Sequence, residues 1–342
     1  MAYTDIDKPT DYFNTVLYTG DASSDRTITN TFGTDFLWLK ERNGGDHHQL
    51  WDKVRGDGKR LQSNLTNAES DLGTYIALVS TGFKVSGGTY NNNGSQYAGW
   101  QWKANGSGSS NTDGSITSTV SANTTSGFSI VTYTGNGTDN ATVGHGLSVT
   151  PSFALVKNRD DSDHWGVWHQ SFSAHTSYNS LSQNIATINS DDIFKAFSST
   201  LFTLGTDSWS NTNTEKYVAY LFAEKKGYSK FGSYTGNGNA DGTFVYTGFK
   251  PALILIKQTN AIGSWYMWDN KRDTFNPYQR YISPNNANAE YTSSERWLDS
   301  LSNGFKWRNT ETAMNGSGST YIYMAFAENP FVTSTGIPSC AR

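Results

Sequence analysis

One phrase recurs three times along the chain and limits what it can fold into. It is an apolar run ending in Lys, then a loop, then a short run ending in Trp and a polar residue. The copies are Phe36-Leu37-Trp38-Leu39-Lys40 leading to Trp51-Asp52, Phe153-Ala154-Leu155-Val156-Lys157 leading to Trp168-His169, and Leu253-Ile254-Leu255-Ile256-Lys257 leading to Trp268-Asp269. The polar residue stands twelve positions after the Lys in every copy. That constancy implies three structural units of one kind, and 342 residues suffice for each to bury a core.

The apolar runs are too short for helices and are apolar at successive positions, which predicts strands covered on both faces. In the following run, a period of two puts Trp265, Met267 and Asp269 on one face and Tyr266 and Trp268 on the other. The second copy keeps Trp165 at the first of these positions, and the first copy has His48 there. Each unit opens on a β-branched and aromatic run stopped by glycine, at Tyr18-Thr19-Gly20, Tyr133-Thr134-Gly135 and Tyr234-Thr235-Gly236. Each closes on an aromatic run, Tyr97 to Trp102, Tyr217 to Phe222 and Tyr321 to Phe326. Between them lies a variable middle with helical turns expected near Asn67–Ser70 and Ser293–Trp297. The whole reads as all-β, a sandwich or jelly roll in each unit. The expected division is an N-terminal arm at 1–11, repeats at 12–107, 127–226 and 227–331, a Gly/Ser/Asn/Thr linker at 108–126 and a C-terminal arm at 332–342.

Composition narrows the function classes. Charged residues are 16% of the chain, against about 25% in an average globular protein. Ser, Thr, Asn and Gly take their place, and the formal charge is −4. Nucleic acid and anionic membrane both call for a basic face, so neither is expected as a partner. Cys340 is the only cysteine, which excludes an intramolecular disulfide. The first residues lack the pattern of a secretory signal and no run is apolar enough to span a bilayer, so synthesis in a reducing cytoplasm is expected without membrane insertion. Sequons such as Asn64-Leu65-Thr66 then read as composition.

No nucleophile elbow, phosphate loop, metal-binding helix or cysteine framework is found, and no enzymatic activity is expected. The adjacent His47 and His48 point to opposite faces of a strand and cannot chelate together. Trp51, Trp168 and Trp268 read as core; Trp165, Trp265 and His48, on the other face, are candidates for stacking on a ligand. Asp52 and Asp269 are each followed three residues on by an arginine, Arg55 and Arg272, and in the second unit both change together, to His169 and Phe172. The pair is either a salt bridge closing the strand or a polar ligand site kept in units one and three. The Gly-Asn-Gly loops, with Asp139 and Asp241 nearby, offer oxygens for Ca²⁺, although plain hairpin turns account for them and no cofactor is expected.

With the repeated Tyr-Thr-Gly, the Lys-terminated strand, Trp51-Asp52-Lys53-Val54-Arg55 and the closing Ala325 to Phe331, the chain resembles a repeat domain of virion proteins from marine tailed bacteriophages. These are cyanophage-like proteins described as tail-fibre-like. The resemblance implies three tandem concanavalin- or SPRY-like β-sandwich repeats and a location in the virion. It further implies other virion proteins as partners, a homo-oligomer, and host-surface polysaccharide as ligand. The expected function is a tail appendage of receptor-binding type. A capsid decoration or head-assembly protein is the second reading, and a polysaccharide-degrading enzyme the third.

Overall fold

The computed structural model describes residues 3–339. It is all-β, with every strand ladder antiparallel; among the described residues the only α-helix is the four-residue Thr312–Asn315. One sheet order occurs three times. An opening strand pairs with the closing strand, the closing strand with the Lys-terminated strand, and that with the Trp strand. The strands are Phe13–Thr19, Gln96–Trp102, Phe36–Glu41 and Gln49–Asp52 in the first unit. They are Phe128–Thr134, Lys216–Phe222, Phe153–Asn158 and Gly166–His169 in the second, and Ser229–Thr235, Thr320–Pro330, Phe249–Gln258 and Trp265–Asp269 in the third. Each unit also has a three-stranded sheet, built in the third from Phe244–Tyr246, Gly304–Trp307 and Leu298–Leu301.

The Lys-terminated strands are apolar at successive positions because each separates two cores. Phe36, Trp38, Phe153, Leu155, Leu253 and Leu255 all enter one core common to the three units. The alternate residues enter three separate cores, each shared with that unit's three-stranded sheet: Leu37 and Leu39, Ala154 and Val156, Ile254 and Ile256. At the centre of the common core the last aromatic of each closing strand meets the other two. Trp102, Phe222 and Phe326 lie 5.7–6.1 Å apart, ring centroid to centroid.

The terminal lysines Lys40, Lys157 and Lys257 are buried. Each ammonium donates to the carbonyl of the next residue, and Lys40 and Lys157 reach a second carbonyl in the following loop, Gly44 O and Asp161 O at 3.1 Å. Burial lowers all three to a pKa of about 8. The Tyr-Thr-Gly phrase also has a packing cause. Its tyrosines stack on the first tyrosine of the closing strand at 4.8, 5.2 and 4.9 Å. A Cβ on Gly20, Gly135 or Gly236 would fall 2.0–2.4 Å from a backbone carbonyl oxygen of the loop that crosses it, so no side chain fits there.

Two expectations change. The stretch 108–126 is not a free linker: Ser109–Asn111 and Ser118–Asn123 are strands, and the latter pairs with Phe128–Thr134 along its whole length. Its Gly/Ser/Thr composition suggested flexibility, but the open edge of the second unit's sheet supplies ladder partners, and Ser118, Val120 and Ser121 are buried there. No helix forms at 67–70 or 293–297; these residues are irregular or in short strand pairs. The arms, as far as residue 339, lie against the chain itself. Thr4 donates to Lys226 O, Ile6 enters the common core, and Asp7 accepts from both the backbone and hydroxyl of Ser334.

Sharing one core predicts that the units do not unfold independently. Trp102→Ala should cost about 3–5 kcal/mol and shift a single denaturation transition seen alike by tryptophan fluorescence and far-UV circular dichroism. Separate transitions, with only the first unit affected, would contradict a common core.

Candidate functional site

The residues singled out by sequence, His48, Asp52, Arg55, Trp165, Trp265, Asp269 and Arg272, are all buried. They do not line an open ligand surface, which corrects the expectation of a ligand site there; Asp52 with Arg55 and Asp269 with Arg272 form the salt bridges that were the other reading, and the group fastens each unit to its neighbours. The polar residue that ends each Trp strand is buried and bonded to another unit's closing strand, so it lies in a seam rather than out in solvent.

Two rings of hydrogen bonds run through these seams. In the first, the residue after the Trp reaches the next unit's closing strand. Asp52 Oδ2 accepts from Tyr220 Oη at 2.7 Å, and Asp269 Oδ2 accepts from Trp100 Nε1 at 3.0 Å. His169 Nε2 donates to the backbone oxygen of Tyr323 at 3.1 Å, while its Nδ1 accepts from Ser171 N. In the second ring, the residue three before the Trp reaches the preceding unit. Trp165 Nε1 donates to Gln62 O at 2.9 Å and Trp265 Nε1 to Ser180 O at 2.8 Å. His48 Nε2 donates to Ser283 O at 3.1 Å while Nδ1 accepts from Trp38 Nε1.

This geometry explains the change of Asp to His in the second unit. Trp100, Tyr220 and Met324 occupy one register position, opposite Trp38, Leu155 and Leu255. Two of them are hydrogen-bond donors that suit a carboxylate. Met324 has no donor, so an Asp at 169 would be buried without its partner, whereas His169 can donate to the backbone. Burial holds the His169 imidazole neutral, with its pKa lowered to about 4, and lowers His48 as well.

Beside two of the seams the aspartate anchors a buried ion network. Arg55 Nε bonds Asp52 Oδ2 and its Nη1 bonds Glu69 Oε2 at 3.0 Å, and Arg159 of the second unit forks onto Glu69 at 2.8 and 3.0 Å. Arg272, Asp269, Glu290 and Arg42 repeat the arrangement between the third and first units, with Arg42 forked onto Glu290 at 2.9 Å for both bonds. The arginines lower the Glu69 carboxyl against the opposing effect of burial. The third seam keeps the backbone contact but loses the charges. Glu69 N donates to Arg159 O, Glu290 N to Arg42 O, and Thr187 N to Thr259 O, at 2.7–2.8 Å. Phe172, Thr187 and Thr259 therefore stand where the other seams have Arg, Glu and Arg. At this seam a cleft of about 620 Å³ opens, lined by residues that include Ser171, Phe172, Thr187, Ser233, Thr259 and Asn260.

Four network residues, Arg42, Glu69, Arg159 and Glu290, went unnoticed in the sequence. A weak signal existed: Arg42 and Arg159 both follow their lysine by two positions, with Thr259 in the third copy. Also unnoticed were Asn91, Asn211 and Asn315, fully buried, whose side chains tie the turn after each Tyr-Thr-Gly to the loop before the closing strand. In the Gly-Asn-Gly loops, Asp139 pairs with Lys195 and Asp241 with Lys306. Among the described residues no three His, Cys, Asp or Glu side chains gather as a metal site.

The chain belongs to the family DUF7483, a domain of unknown function, whose model matches residues 8–330 as one continuous stretch. Comparison with curated proteins and with solved structures gives no match.

Removing one partner of a buried ion pair leaves the other charge unpaired. Asp269→Ala should therefore lose about 3–5 kcal/mol in denaturant titrations, and His169→Ala, which removes neutral hydrogen bonds, about 1–3 kcal/mol. Equal losses would show that Asp269 acts only as a neutral acceptor. His169 also makes stability depend on acidity. Its folded pKa of about 4 lies below the ordinary 6.5, so the unfolded chain binds the proton more readily. Stability from this group is complete above about pH 6.5 and declines as the pH falls through 4. In His169→Gln the slope of stability against pH between 6.5 and 4 should be shallower than in the parent.

Proposed function

We propose that the protein is a non-enzymatic structural protein of a phage virion. In this reading it consists of three tandem concanavalin- or SPRY-like β-sandwich repeats and serves as a tail appendage that recognises host-surface glycan. Its partners are then other virion proteins and further copies of itself. The family motifs at Tyr-Thr-Gly, the Lys-terminated strand and Trp51-Asp52-x-x-Arg55 support the phage assignment by resemblance. The observation that carries the binding role is the chemistry of the open cleft. The ionisable side chains that suggested a site are enclosed in the seams, while the cleft presents hydroxyls, amides and an aromatic ring without a charged side chain. Neutral polar groups beside a ring suit sugar recognition, whereas glycoside hydrolysis calls for a pair of carboxylates flanking the bond.

A capsid-decoration role is the second reading. It draws on the way the units interlock around one core, which gives a rigid block suited to packing on a particle.

Electron microscopy of virions labelled with an antibody against the protein tests the assignment. Label on the tail tip or fibres is the expected result. Label over the capsid faces would replace the tail reading by the decoration reading, and unlabelled particles would remove both.

A further inference from the structure

The third seam differs from the other two in a coordinated way. Where they place two arginines and a glutamate beside an Asp, it places Phe172, Thr259 and Thr187 beside His169. Replacing Asp by His has a packing cause in Met324. That cause does not extend to Thr187 and Thr259: in the other two seams the Glu–Arg forks are made directly between the two side chains, so a fork between these positions would need no partner from Asp or His. The strand edge is also left open. The second unit's opening strand is paired by Ser118–Asn123, but Ser229–Thr235 in the third unit is an edge strand whose only ladder partner among the described residues is its closing strand. The cleft lies along that edge, which contributes Ser233 and Thr235.

We propose that this seam is a binding site for a neutral oligosaccharide, formed by the small hydroxyl residues that stand where the other seams hold their ion networks. The inference rests on the glycan-binding part of the proposed function, but not on where in the virion the protein sits. Three kinds of groups carry it. The hydroxyls of Ser171, Ser233 and Thr235 have no partner among the described residues, so they are free to donate and accept. The amide of Asn260 is held by its oxygen, which accepts from Thr320 N and Gln258 Nε2 at 3.3 Å, leaving its NH₂ group as a fixed donor. Phe172, half-buried against the common core, offers a rigid ring to the apolar face of a pyranose. A sugar presents the same mixture of hydroxyl donors and acceptors beside an apolar face. With no charged side chain in the lining, a sulfated or carboxylated sugar would be desolvated without a counter-charge. A cleft of about 620 Å³ is in the size range of small-molecule sites and admits a few sugar units.

The test uses the full chain, with saturation-transfer NMR and calorimetry. The probes are neutral gluco-, galacto-, manno- and N-acetylglucosamine oligosaccharides, a sulfated and a uronate oligosaccharide, and an extended uncharged peptide. At least one neutral oligosaccharide should bind, and Phe172→Ala and Asn260→Ala should each weaken it tenfold or more. The double variant Thr187→Glu/Thr259→Arg recreates the fork of the other seams and should fill the cleft. Binding should then be lost while the denaturation midpoint stays level or rises, which separates blocking from unfolding. Thr119→Ala, on a strand of the second unit away from the cleft, serves as the control and should leave binding unchanged. If a neutral glycan binds but the cleft variants do not weaken it, this site is wrong and the glycan-binding function stands. Binding confined to charged glycans, or to the peptide in place of sugars, overturns the proposed ligand class. Absence of any glycan binding overturns both the site and glycan recognition, whatever microscopy shows about the virion.

Discussion

Everything in this molecule depends on sheets that are apolar on both faces. A four-stranded sheet with Leu37 and Leu39 on one side and Phe36 and Trp38 on the other cannot face water with either. Its own three-stranded sheet covers one face. The other can be covered only by equivalent sheets, and three of them close around Trp102, Phe222 and Phe326. A ring of three follows, because each Trp strand ends on the next unit's closing strand. The polar residues at those ends then need partners, and Asp52, His169 and Asp269 find them across the seams.

Closing a ring of similar but unequal units creates a problem of matching. The apolar contacts tolerate variation: Trp102 and Phe222 interchange in the common core, as do Leu50 and Met267. The buried polar contacts do not, since an unmatched donor or acceptor in a seam costs more than the matched one contributes. Met324 in place of Trp or Tyr is thus accompanied by His169 in place of Asp. This interdependence fits the single family model that runs from residue 8 to residue 330, across all three units.

Much of the fold was legible in the sequence, and the legible parts are those with a local period. The Lys-terminated strands, the two faces of Trp265 to Asp269 and the Tyr-Thr-Gly turns follow from residue order alone. What the sequence could not show is which surface each face meets. Trp165 and Trp265 stand on the face opposite the units' own cores, as alternation requires, but that face is turned to another unit, so the aromatic position that suggested a sugar platform is a seam contact. The 108–126 stretch escaped for a related reason. Its composition says flexible chain, and only the unpaired edge at Phe128–Thr134 turns it into a strand.

The joint change at His169 and Phe172 was visible, and of the two readings it offered, salt bridge or ligand site, the ion pair is the one found in the first and third units. In the first and third units Asp and Arg are internal fasteners. A fastener of this kind must be fully paired, so it places guanidinium and carboxylate groups between the units. Phe172, Thr187 and Thr259 are smaller or neutral, and the common core already holds the third seam through Phe231, Leu253 and Met324. The seam can therefore stand without its ion network. The unit that departs from the repeated pattern, rather than the units that keep it, is the one where the ring has room for chemistry other than its own assembly.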